Sequence, residues 1–145
     1  MVQTTGQCLC GAVTISGEVG SNIQACHCRQ CQRWTGGSPY FCVPISDPVV
    51  TGGETLAAYH HSTWGERTFC ATCGTTVYWT TKGDAPHSAA AGLFEDQTGW
   101  RVTEEIFVDY RAAWLLPFKG ATQSTEAQEI AKFDAWMAKQ GKSVE

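Results

Sequence analysis

Gly6-Gln7-Cys8-Leu9-Cys10-Gly11 near one end, and Phe69-Cys70-Ala71-Thr72-Cys73-Gly74 in mid-chain, decide how this sequence folds. Each carries two cysteines two or three positions apart in a glycine-marked turn. Such a turn aims both sulfurs at one point, and Zn²⁺ accepts four thiolates tetrahedrally at about 2.3 Å. A third cluster, Cys26-His27-Cys28-Arg29-Gln30-Cys31, lies between them; the three hold seven of the eight cysteines, and Cys42 stands alone. Unpaired cysteine is often simply buried, but chance burial does not explain the clustering. A redox pair at Cys70 and Cys73 would belong to an α/β unit that this chain does not show. An iron–sulfur cluster would draw on the same thiolates; the paired, knuckle-like spacing favours zinc.

Seven thiolates divide naturally into four and three. Cys8, Cys10, Cys70 and Cys73 would complete a closed structural site tying the first strand to a later hairpin. Structural zinc in small peptides binds with an apparent 10–16 kcal/mol, about a whole domain's stability, so removal of this metal is expected to unfold the chain. Cys26, Cys28 and Cys31 would hold a second ion from one loop and leave a tetrahedral position open, which distinguishes a catalytic site from a structural one. Cys42, His60 or His61 would close that position as a fourth ligand. Other pairings of the clusters also satisfy the spacing. His27 lies between two ligands, and its ring should project elsewhere.

The 145 residues, 43% apolar and 17% charged, have the composition of one globular domain over 1–145. The opening residues lack the basic start and apolar run of a secretory signal, and no stretch approaches the ~20 apolar residues of a spanning helix. A cytoplasmic, membrane-free protein is expected, whose reducing surroundings work against disulfides. A net charge of −4 and a pI near 5.5 remove the attraction to phosphate backbones on which nucleic-acid binders rely. Short β-prone runs punctuated by glycine predict a sheet-rich, zinc-binding domain over 6–116, with strands near 12–16, 40–43, 56–60, 67–69, 76–79 and 106–108. Thr125 and Gln128 have capping-box spacing, Ile130, Phe133 and Met137 share a helical face, and Gly141 is a stop; they predict one helix over 124–140 packed on the sheet.

Gly6-Gln7-Cys8-Leu9-Cys10-Gly11-Ala12-Val13, then Cys26-His27-Cys28-Arg29-Gln30-Cys31 followed by Gly36, then Arg67-Thr68-Phe69-Cys70-Ala71-Thr72-Cys73-Gly74 form three ordered motifs. In these the chain resembles the family of glutathione-dependent formaldehyde-activating enzymes, which also includes centromere protein V. The likeness spans residues 6–79 and continues more weakly over 92–114. It implies a mainly β, Mss4-like fold stabilised by zinc, with one C-terminal α-helix. It also implies two zinc ions per chain, a structural one on Cys8, Cys10, Cys70 and Cys73 and a catalytic one on Cys26, Cys28 and Cys31, and so favours the four-plus-three division. The activity it implies is that of a carbon–sulfur lyase forming or cleaving S-hydroxymethylglutathione.

Chemistry agrees with that activity. Three thiolates leave a zinc site with net negative charge, a poor setting for activating water. A substrate thiol entering as fourth ligand would instead be held as thiolate, the reactive form. Cys26, Cys28, Cys31 and His27 are therefore the expected catalytic residues, His27 as proton carrier. Arg29 and Arg33 flank the cluster and are expected to pair with carboxylates of a small thiol such as glutathione. Two other readings use the same residues: a protein-binding module with both metals structural, and a hydrolase or lyase of another substrate working at the same open zinc.

Overall fold

The computed structural model describes residues 1–141. The chain is mainly β, with a C-terminal α-helix. It forms two compact units, one of Met1–Ile23 and Phe41–Arg101, the other of Gln24–Tyr40 and the chain from Val102 onward. In order the elements are β1 (Val2–Gln7), β2 (Thr14–Val19), β3 (Asn22–Cys26), α1 (Arg29–Thr35), β4 (Tyr40–Thr51), β5 (Leu56–Tyr59), β6 (Gly65–Cys70), β7 (Thr76–Thr81), β8 (Ser88–Ala90), β9 (Arg101–Ile106), β10 (Thr122–Gln123) and α2 (Glu126–Lys139).

In the first unit β1 and β4 flank β2, both antiparallel to it, and β8 pairs antiparallel with β4. β2 alternates as a half-buried strand should: Ile15 and Val19 are buried while Glu18 faces solvent. The β2–β4 register shifts between Ser16 and Glu18, and on the β4 side Asp47 takes a positive φ of 50°, as a bulge demands. β5, β6 and β7 make a second, antiparallel sheet. Its irregularity at Thr68 is secured by the side chain, whose hydroxyl donates to the Tyr78 carbonyl at 2.8 Å and accepts from the Tyr78 amide at 3.0 Å. Val13, Ile15, Val43, Ile45, Val77, Leu93 and Phe94 fill the core, and Cys8 and Cys70 belong to the same buried cluster.

One turn ties the cysteine-bearing segments of this unit together. Gly52, at φ 80°, follows β4 and lies so close to the Ala12 carbonyl that a Cβ there would sit 2.0 Å from its oxygen. The Gly52 carbonyl accepts from Thr55 N and Leu56 N, and the Thr55 carbonyl accepts from Ala71 N, inside the second cysteine turn.

In the second unit β9 and β10 run parallel, with Gln123 opposite Glu105. The link between them includes a 3₁₀ turn, Val108–Tyr110, entered through Phe107 at φ 56°. α2 starts on the predicted capping box: Thr125 Oγ1 accepts from Gln128 N at 3.3 Å, and Gln128 Oε1 accepts from Thr125 N at 2.8 Å. Of its predicted apolar face Met137 is buried, whereas Ile130 is 49% exposed. Cys26–Cys31, expected as one loop, instead passes from the end of β3 into α1, a helix of seven residues with Cys28 as its N-cap. No helix among the described residues is long and apolar enough to cross a membrane.

Gly52→Ala is expected to destabilise the chain by about 1–3 kcal/mol from its left-handed backbone alone, and by more because of the contact with Ala12. Gly53→Ala, where a Cβ meets nothing within 4 Å, is the control and should be neutral or slightly stabilising. Urea melts of the two variants measure the difference.

Candidate metal centres

No disulfide joins any of the eight cysteines. In the first unit Cys8, Cys10, Cys70 and Cys73 bring their sulfurs within 4.8 Å of one another. Cys10 Sγ lies 3.7 Å from Cys8 Sγ and 3.8 Å from Cys70 Sγ. A tetrahedron of sulfurs about 2.3 Å from a central zinc has edges of about 3.8 Å, so this donor set fits the ion in kind, number and spacing. The turns are built alike. Gly11 N donates to the Cys8 carbonyl and Gly74 N to the Cys70 carbonyl, and both glycines take a positive φ, 82° and 78°.

Hydrogen bonds from the chain prepare the sulfurs. Val13 N donates to Cys8 Sγ at 3.3 Å. Thr75 Oγ1 accepts from Leu9 N at 3.0 Å, so its proton is directed to Cys73 Sγ, 3.1 Å away. Thr75 thus links the two turns, through its hydroxyl first and then its backbone amide, and pushes the Cys73 thiol down to about 5. The Ala12 amide pulls Cys10 the same way, but burial and the neighbouring thiols of Cys8, Cys73 and Cys70 raise it to about 11. One thiol of the set readily ionises and another resists, as expected where four sulfurs crowd without a cation between them. A divalent ion removes the conflict, because it stabilises every thiolate at once.

In the second unit Cys26, Cys28 and Cys31 also lie within 4.8 Å of one another at their sulfurs. Cys26 ends β3, Cys28 caps α1, and Cys31 sits in the first turn of that helix. Cys31 N donates to Cys28 Sγ at 3.3 Å. Cys26 and Cys31 are buried; Cys28 is half-buried. Cys28 and Cys31, with burial, raise the Cys26 thiol above its ordinary value. Among the described residues of this unit no fourth His, Cys, Asp or Glu joins the group.

His27 does project away from the sulfurs, as expected, and is 1% exposed. Its Nε2 meets Glu105 Oε1 at 2.8 Å, its amide donates to the Ile106 carbonyl at 3.0 Å, and its carbonyl accepts from Gln32 Nε2 at 2.6 Å. Gln32 Nε2 also donates to the Tyr110 carbonyl at 2.8 Å. Arg29 and Arg33 are both exposed, and their spacing puts them on one face of α1. The Arg29 guanidinium carbon lies 5.9 Å from the Tyr110 ring centroid, a cation–π contact. The histidines weighed as extra ligands are engaged in the first unit: His60 Nε2 meets Glu66 Oε2 at 2.9 Å, and the His61 ring packs edge-on against Trp64. Cys42 is buried in β4 opposite Ala90.

Glu105 was absent from the residues singled out by sequence. It is completely buried. Burial alone would raise its pKa, but Gln123, the Phe118 amide and His27, with the charge of Arg111, hold it below the ordinary carboxylate value. A signal existed. Neighbouring strand residues point to opposite faces, so Glu104 and Glu105 could not both face solvent. Thr75 and Gln32 carried no such signal.

A family model described as glutathione-dependent formaldehyde-activating enzyme matches residues 3–110. A Schizosaccharomyces pombe protein described as an uncharacterized lyase is 34% identical over 112 residues, 75% of this chain and 81% of that protein. A crystal structure of a Rhodobacter sphaeroides protein is similar at 28% identity with a TM-score of 0.52, covering 63% of this chain and 88% of the other.

Glu105→Gln should lower stability at pH 7 by about 1–3 kcal/mol, the usual effect of leaving buried partners unmatched. A depressed carboxylate pKa contributes stability above the unfolded value and loses it as the pH falls through the folded one. The gap between wild type and variant should therefore narrow below the ordinary value of 4.5. Urea melts at pH 7 and at steps below 4.5 test this, and a gap independent of pH would show Glu105 to be neutral in the fold.

Proposed function

Because the chain belongs to the family of glutathione-dependent formaldehyde-activating enzymes, we propose that it is a carbon–sulfur lyase that forms or cleaves an adduct between a small thiol, such as glutathione, and an aldehyde such as formaldehyde. The observation that carries this reading is the group of three converging thiols, which no fourth donor joins among the described residues of its unit. In this proposal Cys8, Cys10, Cys70 and Cys73 hold a structural zinc, and Cys26, Cys28 and Cys31 a catalytic one. When bound there, zinc would accept the substrate thiol as its fourth ligand and keep it ionised yet electron-rich.

The chain's own residues do the rest. Cys26 and Cys31, buried at the end of β3 and in α1, fix two ligand directions, and half-buried Cys28 marks the approachable side. Arg29 and Arg33, exposed on one face of α1, bind carboxylates of the thiol. With its Nε2 committed to Glu105 and its ring buried away from the sulfurs, His27 orients the segment between Cys26 and Cys28, and the thiol proton passes through water on the approachable side. The reaction is an addition: a sulfur–carbon bond forms, the carbonyl π pair moves to oxygen, and the proton lost by the thiol ends on that oxygen. Cleavage runs the same steps backwards. No oxidant or reductant is required.

Elemental analysis of anaerobically purified protein should give two metals per chain, and glutathione should change the spectrum of the cobalt-substituted protein. Cys28→Ser should lose one metal, keep its fold, and lose more turnover of a thiol–aldehyde adduct than the 10–100-fold typical of changes around a metal's ligands. Two metals with spectra indifferent to the thiol would favour a binding module whose metals are both structural. A Cys28→Ser protein with unchanged metal content and turnover would rule the mechanism out.

A further inference from the structure

Glu105 holds more of the second unit than any other side chain described there. Its Oε1 receives His27 Nε2 at 2.8 Å and Arg111 Nη2 at 3.3 Å; its Oε2 receives Gln123 Nε2 at 2.7 Å and Phe118 N at 2.8 Å. A carboxylate has about four acceptor positions, and all are used. A fully buried carboxylate is costly unless so satisfied, and a network with every position filled is stiff.

Two parts of the unit meet at this carboxylate. One is the cysteine cluster, because His27 is the residue between Cys26 and Cys28 and is held at its amide, its carbonyl and its ring. The other is the segment 111–118, which Glu105 grips at both ends, through Arg111 and through Phe118 N. That segment displays Trp114 and Leu116, 74% and 82% exposed.

We propose that Glu105 is a positioning residue for the three-cysteine centre. By fixing the His27 ring it fixes the backbone from which Cys26 and Cys28 project, and so the spacing of their sulfurs. The inference rests on the reading of that group as a metal centre. Thiolates held at the right spacing before the ion arrives bind it more tightly than thiolates that must first be ordered. An ordinary stabilising residue would not act on one metal alone.

Metal affinity separates the two roles. The reduced protein with cobalt(II) at both centres is titrated with a chelator, and the loss of the thiolate-to-cobalt bands is followed in wild type, Glu105→Gln, His27→Gln and Gln123→Met. Glu105→Gln and His27→Gln should each weaken the second cobalt by about 10–100-fold and shift its bands, while the first cobalt binds as in wild type. Gln123→Met removes a partner from Oε2 and leaves the His27 contact, so both affinities should stay within about twofold of wild type.

The inference is overturned if both first-named variants bind the second cobalt like wild type, if the two cobalts weaken in parallel, or if Gln123→Met has the effect of Glu105→Gln. Should Glu105→Gln fail to fold, His27→Gln decides alone, by the same criterion. A wild type that takes up one cobalt only refutes the metal reading of the group and this inference with it. A wild type with two, beside indifferent variants, refutes the inference and leaves that reading standing.

Discussion

Four sulfurs drawn to within 4.8 Å of one another govern the first unit. Two come from the turn between β1 and β2 and two from the turn between β6 and β7. No short-range pattern would bring those turns together. Hydrophobic burial alone would not select distances of 3.7–3.8 Å between sulfurs either; those are the edges of a coordination tetrahedron. The apolar core is continuous with this cluster, because Cys8 and Cys70 pack with Val13, Ile15, Val77 and Phe94. Thiol cluster and core are thus one structural device. The Gly52 turn, Thr75 and the Val13 amide add backbone and hydroxyl contacts that set the direction of each sulfur.

The second unit solves a different problem, how to hold three thiols at one point from a segment of six residues. Cys26, Cys28 and Cys31 sit where a strand gives way to a helix, and Cys28 serves as both cap and donor. A short helix has little stability of its own. Its position is secured instead by polar contacts: Gln32 to two carbonyls, His27 to Glu105, and the His27 amide to Ile106. Deep burial makes the His27–Glu105 bond worth more and its loss more damaging. The unit therefore rests on a satisfied buried charge, where the first gathers four thiols that could share a cation.

Much of the β structure was legible from local pattern. β5 and β7 lie close to where the β-prone runs put them, because those runs are bounded by glycine or turn residues at both ends. β1, Val-Gln-Thr-Thr-Gly-Gln, was not read; its polar residues carry no amphipathic period, and it becomes a strand by pairing with β2. The run predicted at 106–108 ends at Ile106 because Phe107 turns into the left-handed region, which apolar character does not reveal. α1 escaped because seven residues are too few for a helical period to register. The capping box of α2 lay in plain view, since its two partners are three residues apart.

The sequence by itself determined which thiols travel together. Spacing within a tight turn fixes how close two cysteines come, and that geometry is local. The three clusters follow from it; the capping box likewise announces the C-terminal helix, and the place of His27 between two cysteines turns its ring from their sulfurs. Tertiary structure alone decided which turns share a set, that Thr75 joins Leu9 to Cys73, and that Glu105 meets His27 across a long stretch of chain. Such partners are set by how strands and loops come to rest beside one another. A buried glutamate is written in the chain with the same letter as an exposed one; strand alternation sets Glu104 and Glu105 on opposite faces, and the four hydrogen bonds show Glu105 to be the buried one.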